Sequence, residues 1–171
     1  LSTQLAAIPT RHNGFLFRSR LEARWAVFFD ALEIKFWYEL EGFPLVTGWY
    51  LPDFFIPQVN LYAEVKPEIP DEKAMAKCGE LCLRSGKNLL VLIGPPDFRT
   101  YPAMWVATDG LLNIAQVLLD IDYHKRRYYD QEHRLFTDPG EHFDHEGCFS
   151  PDYQEAVFAS RAARFEEGGE R

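Results

Sequence analysis

Hydrophobic positions recur along this chain with two different periods, and the change from one to the other outlines an α/β fold. After Ser19, the residues Leu21, Trp25, Phe28 or Phe29, and Leu32 fall at helical spacings, which predicts an amphipathic helix over about residues 19 to 33. Three segments rich in β-branched and aromatic residues follow, KFWYELE, WYLPDFFIP and LYAEVKP. They read as strands, separated by EGFPLVTG and by a short PQVN turn. Pro67 and Pro70 close this run, DEKAMAKCGELCLRSGK from Asp71 has helical spacing with Gly86 as its stop, and NLLVLIG reads as a strand buried on both faces. Beyond it AMWVAT reads as a strand, LLNIAQVLLDI as a helix, and SPDYQEAVFASRAARF as a closing helix capped by Ser150. Residues 1 to 13 show no sustained periodicity and read as an arm, and no internal repeat is present.

A length of 171 residues suits one domain with a sizeable core, and a 47% hydrophobic share excludes general disorder. The expected organisation is a core with an amino-terminal arm over residues 1–117 and an extension, 118–171, packed on the same domain. No apolar run has the length of a membrane span, and LSTQLAAIPTRHNGF lacks the layout of a signal peptide. Three scattered cysteines give no disulfide framework. These features together place the chain, as an expectation, in the cytoplasm and away from membranes.

A net charge of −8 is awkward for a nucleic-acid partner, which normally meets a basic surface. The charge is unevenly spread, however. Residues 1–117 carry 11 Lys and Arg against 13 Asp and Glu, whereas residues 118–171 carry 7 against 13. The core is thus close to balanced, and a bound metal can neutralise several of its acids.

Asp53, Glu64 and Lys66 stand out because they interrupt segments that otherwise look built for burial. Glu64 and Lys66 are two apart on a predicted strand and share a face. The PQVN turn folds this strand back along the one before it, which brings Glu64 close to Asp53. Two converging carboxylates suit a hard divalent cation such as Mg²⁺, and a neighbouring lysine can orient a nucleophile or steady developing negative charge. The plainer alternative is a solvated strand face with a cross-strand ion pair.

Pro52-Asp53 followed by Glu64-Val65-Lys66, within a helix-strand-strand-strand-helix-strand order, resembles the PD-(D/E)xK nuclease superfamily. With Glu22 in FRSRLEARW, the set SRLE, YLPDF and AEVKP is most similar in layout to the nuclease subunits that cut transposon ends in heteromeric transposases. The resemblance spans about residues 15 to 94. It implies a restriction-endonuclease-like αβββαβ core, with a mixed central sheet flanked by helices and a C-terminal extension outside it. It also implies a Mg²⁺-dependent deoxyribonuclease, with Mn²⁺ as a substitute metal. Asp53 and Glu64 would be metal ligands together with the backbone carbonyl of Val65, Glu22 a further ligand directly or through water, and Lys66 the residue that positions the attacking water. DNA is the implied substrate, and a protein that delivers DNA is an implied partner.

Glu22 has a second reading, since Ser19-Arg20-Leu21-Glu22 is also a capping box. Arg18, Arg20 and Arg24 near the first helix, Lys35 beyond its end, and Lys73 and Lys77 four apart on the second are candidate DNA phosphate contacts or simply solvated faces. Cys78 and Cys82, with His133, His142, His145 and Cys148, lack the pairings of a zinc or iron-sulfur site and read better as buried thiols and loop histidines. Trp25, Trp37, Trp49 and Trp105 read mostly as core, with Trp49 and Tyr50 also placed to stack on a base. Residues 118–171 are open to reading as a homodimer surface, a specificity element or an acidic mimic of DNA. A non-catalytic DNA-binding or assembly module is the alternative to the nuclease.

Overall fold

In the computed structural model, residues 7–107, 109–119, 136–137 and 151–165 are described. The chain first reverses at Asn13-Gly14, where both residues have positive φ. This joins β1 (Thr10–His12) to β2 (Phe15–Phe17) in an antiparallel hairpin. The segment read as an arm is therefore structured from Thr10, because Asn-Gly is a turn signal that needs no long flanking pattern. Ser19 then caps α1 (Arg20–Ala31), its side chain accepting the backbone N–H of Glu22, and the helix buries Ala23, Trp25, Ala26, Phe28 and Phe29.

The next strands are shorter than their hydrophobic runs. They are β3 (Trp37–Tyr38), β4 (Phe43–Leu45), β5 (Gly48–Tyr50) and β6 (Phe54–Ile56). EGFPLVTG, expected as a connection, instead supplies β4, which pairs with β5 as a separate antiparallel hairpin. WYLPDFFIP is broken before Asp53, and Pro52 lacks the N–H a continuing ladder would use. After a 3-10 turn at Pro57–Val59, with Asn60 left-handed at φ 50°, come β7 (Leu61–Lys66), α2 (Glu72–Ser85) and β8 (Asn88–Ile93). Gly86 ends α2 in the left-handed conformation, as the sequence predicts, and Asp71 caps its start.

Then follow β9 (Thr100–Val106), β10 (Leu112–Leu119), β11 (Phe136–Thr137) and α3 (Pro151–Ala162). β10 corrects the helix expected over LLNIAQVLLDI. Its apolar spacing fits either period, and pairing decides, because Leu112 to Leu118 run antiparallel along Val106 to Thr100. The usable signal was Asp109-Gly110: Gly110 has φ 81°, and Ala107 N–H donates to Leu111 O at 2.9 Å across the turn. The site proposed for the capping Ser150, and His133, His142, His145 and Cys148, lie outside the described residues.

The architecture is mixed α/β with three helices among the described residues. One seven-stranded sheet has the order β11-β10-β9-β8-β7-β6-β3, with both edge strands only two residues long. It is a mixed sheet, with β7 and β8 parallel and its other pairs antiparallel. Leu61, Ala63 and Val65 of β7 pack with Leu90, Leu92, Tyr101 and the buried faces of α1 and α3. Tyr62, Leu89, Val91 and Met104 pack on the opposite face against Cys78, Leu81 and Cys82 of α2. Of the four tryptophans, Trp25 is fully buried, whereas Trp37 and Trp49 are exposed, contrary to the expectation of core positions. Trp49, 71% exposed, lies so close over Gly42 that any Cβ there would meet its ring. Among the described residues, no helix is long and apolar enough to cross a membrane.

Trp25 ties the two layers together at the end of the sheet that matters most. Its indole N–H donates to Gly94 O at 2.9 Å, and Gly94 N–H donates to Lys66 O at 2.8 Å. Trp25→Phe keeps most of the buried area and loses that bond, so the unfolding free energy should fall by about 1–3 kcal/mol with an unchanged denaturant slope. Urea titration followed by far-ultraviolet circular dichroism measures both.

Candidate active site

Asp53 and Glu64 meet because β6 and β7 are antiparallel in the register Phe54↔Ala63, which sets Asp53 beside the continuation of β7. The sequence predicted this return from the short turn alone. Asp53 is 3% exposed and Glu64 5% exposed, so both carboxyl groups are withdrawn from water. Since Tyr62 packs on the α2 side and β7 alternates, Glu64 and Lys66 also face α2.

Each acid is held differently. Asp53 Oδ2 accepts the backbone N–H of Val65 at 2.7 Å, and its Oδ1 accepts from Arg18 Nη2 at 2.5 Å. Glu64 Oε1 accepts from Lys66 Nζ at 2.6 Å, while its buried Oε2 has no hydrogen-bond partner among the described residues. A buried carboxylate oxygen without a donor is costly unless something else meets its charge. Burial pushes Asp53 well above the ordinary carboxylate range, and the neighbouring charges of Glu64 and Glu22 push the same way. The Val65 N–H and the Arg18 guanidinium pull back only in part. Burial also acts against the charge on Lys66, but the attraction of Glu64 and Asp53 outweighs it and leaves that ammonium more firmly protonated than usual.

Glu22 sits at the start of α1 and is buried. Its Oε1 accepts from the Ser19 hydroxyl at 2.8 Å, and its Oε2 accepts from Tyr38 Oη at 2.6 Å and from Arg18 N–H at 3.0 Å. The capping role is thus present in the structure, extended by a tyrosine the sequence did not flag. Tyr50, a base-stacking candidate by sequence, is partly buried, with its hydroxyl 3.9 Å from Cys78 Sγ. Burial, then the charge of Glu64, holds that phenol firmly protonated. Glu39, also unforeseen, pairs with Arg18 Nε at 2.6 Å, and its own N–H donates to Asp53 O at 2.9 Å. Its left-handed backbone, φ 49°, is a conformation a non-glycine residue holds only when its surroundings impose it.

The other basic candidates divide. Arg18 is drawn into the acidic cluster, and Arg24 Nη1 donates to Ser160 O at 2.5 Å and Arg161 O at 2.8 Å, bonding carbonyls left over at the end of α3. Arg20 and Lys35 are exposed, Lys73 is exposed, and Lys77 is half-buried on α2. Cys78 and Cys82 are free, buried thiols, both pushed up to about 11 chiefly by burial.

Among the described residues, no group of three or more His, Cys, Asp or Glu side chains forms a ready-made metal cage. Two buried carboxylates, one with an unpartnered oxygen, nevertheless fit a cation such as Mg²⁺, which keeps several waters and takes only one or two protein carboxylates. No protein-family model matches this chain, and no curated protein or solved structure matches it significantly.

The burial of Asp53 has a consequence for stability in the presence of a chelator. Its folded form holds a proton above the ordinary value of 3.8, so between that value and the raised one the native state binds more protons than the unfolded chain. Stability from this group is therefore full below about pH 4 and declines as pH rises through the raised value. Asp53→Asn keeps an acceptor for Val65 N–H, and Arg18, half exposed, keeps Glu39. The variant should gain about 1–2 kcal/mol at neutral pH in chelator and lose this pH dependence, as read from urea denaturation over pH 4 to 8.

Proposed function

We propose that this protein is a divalent-cation-dependent nuclease that hydrolyses phosphodiester bonds in DNA. The observation that carries the reading is the pair of buried carboxylates, Asp53 and Glu64, side by side with Lys66 held against one of them. The order of elements around the pair supports it. α1 is followed by β3, β6 and β7, then by α2 and the parallel β8, with the β4–β5 hairpin as an insertion. Such an order supports a restriction-endonuclease-like αβββαβ core, the fold that the sequence resemblance implies.

In this reading Asp53, Glu64 and the carbonyl of Val65 hold the cation, and Glu22 contributes through water, since both of its oxygens already accept hydrogen bonds. A cation bound there supplies a Lewis acid and lowers the pKa of its water. Lys66, charged and fixed by Glu64 Oε1, orients the attacking water and offsets charge that builds on the phosphate oxygens. Tyr38 and Ser19 keep Glu22 turned toward the cluster. The near-neutral balance of residues 1–117 fits a nuclease that obtains much of its DNA affinity from a partner.

A second reading, a non-catalytic binding or assembly module, draws on the internal pairing of Arg18 and Lys66, which already offsets part of the acidic charge. The two readings part in a cleavage assay on supercoiled, linear and branched DNA with Mg²⁺ or Mn²⁺, and with chelator. The nuclease reading expects metal-dependent cutting that falls by at least about 100-fold in Lys66→Ala and Asp53→Ala. Cutting that survives both substitutions, or no binding of metal in calorimetry, would sink it.

A further inference from the structure

Arg18 touches three acids, Glu22, Asp53 and Glu39. Its backbone N–H donates to Glu22 Oε2 and also to Tyr38 Oη, at 3.0 and 2.9 Å. Its guanidinium reaches Asp53 Oδ1 through Nη2 and Glu39 Oε1 through Nε, at 2.5 and 2.6 Å. The main chain is thus pinned while the side chain, 52% exposed, lies partly in water. Asp53 Oδ2 is taken by a backbone donor on β7, which its pairing with β8 holds in place. Oδ1 is the oxygen whose partner is a side chain free to move, the guanidinium, rather than a strand backbone.

Accepting the metal-centre reading above, we infer that Arg18 is a displaceable counter-charge that competes with the divalent cation for Asp53 Oδ1. In the cation-free protein the guanidinium offsets the buried carboxylate. When a cation binds Asp53 and Glu64, like-charge repulsion expels Nη2 from Oδ1, and Nε stays with Glu39, which is the better solvated of the two acids. The released fork then stands at the mouth of the site, where its geometry suits a phosphodiester oxygen pair. The charge of Arg18 becomes available to substrate only once the cation is in place.

The test is calorimetric titration of Mn²⁺ into metal-free wild type, Arg18→Gln, Asp53→Asn and, as a control for loss of charge alone, Arg20→Gln. Arg18→Gln should bind Mn²⁺ about tenfold more tightly than wild type, Arg20→Gln within about twofold, and Asp53→Asn should not bind. In wild type, Mg²⁺ saturation should shift the arginine side-chain N–H resonances that vanish in Arg18→Lys, a readout that does not depend on the Gln variant folding. Unchanged or weaker Mn²⁺ binding in a folded Arg18→Gln, equal tightening in Arg20→Gln, or Arg18 resonances unmoved by Mg²⁺ would each overturn the inference while leaving the metal centre standing. Absence of Mn²⁺ binding in wild type and Arg18→Gln alike would overturn the metal centre and this inference with it.

Discussion

A carboxylate withdrawn from water must be met by donors or by positive charge, and at Asp53 that requirement organises everything nearby. The β6–β7 register sets the side chain beside the Val65 N–H, the turn into α1 brings Arg18 to its other oxygen, and Glu39 completes the bridge. The same turn places Ser19 and Glu22, so helix capping and charge compensation share a few residues. Trp25, one turn further along α1, fastens that helix to Gly94, whose N–H is bonded to Lys66 O. The acidic cluster is thus built at the junction of α1 with the ends of three strands.

This junction is assembled against its own electrostatic preference. Burial and the charges of Glu64 and Glu22 all act against the charge on Asp53, and among the described residues one guanidinium and one ammonium are paired with Asp53 and Glu64. Proteins accept such local instability where function needs it and recover it elsewhere. Here the recovery lies in the two apolar layers: on one side Phe17, Trp25, Phe28, Phe29 and Phe54 stack edge to face or tilted with Tyr101 and Tyr153. On the other, Tyr62 packs against Phe43 and Phe55. A rigid frame of this kind can hold together acids that would otherwise drift apart.

Much of the candidate site was legible because it rests on local rules. A Pro-Asp, a four-residue turn and a Glu-x-Lys on a strand predict both the hairpin and the shared face, whatever the rest of the chain does. What escaped was contact between residues distant in sequence. Arg18 looked like a phosphate contact because nothing in FRSRLEARW says that its guanidinium will reach Asp53, 35 residues away. Tyr38 and Glu39 looked like ordinary strand residues. Arg24 looked free for DNA until the end of α3 came down upon it.

By itself the sequence determined α1 and α2, whose apolar residues recur at helical spacing with Ser19 before the first and Gly86 after the second, and β7 and β8, whose apolar runs are bounded by turn formers and too short for a helix. It also brought Asp53 close to Glu64, since a short turn leaves few registers. Only the tertiary structure decided that Leu112–Leu119 is a strand, that β4 and β5 leave the main sheet, and that Arg18 bridges Asp53 and Glu39. In each of these the local pattern is compatible with more than one state, and the choice falls to whichever partner strand or opposite charge the folded chain brings within reach.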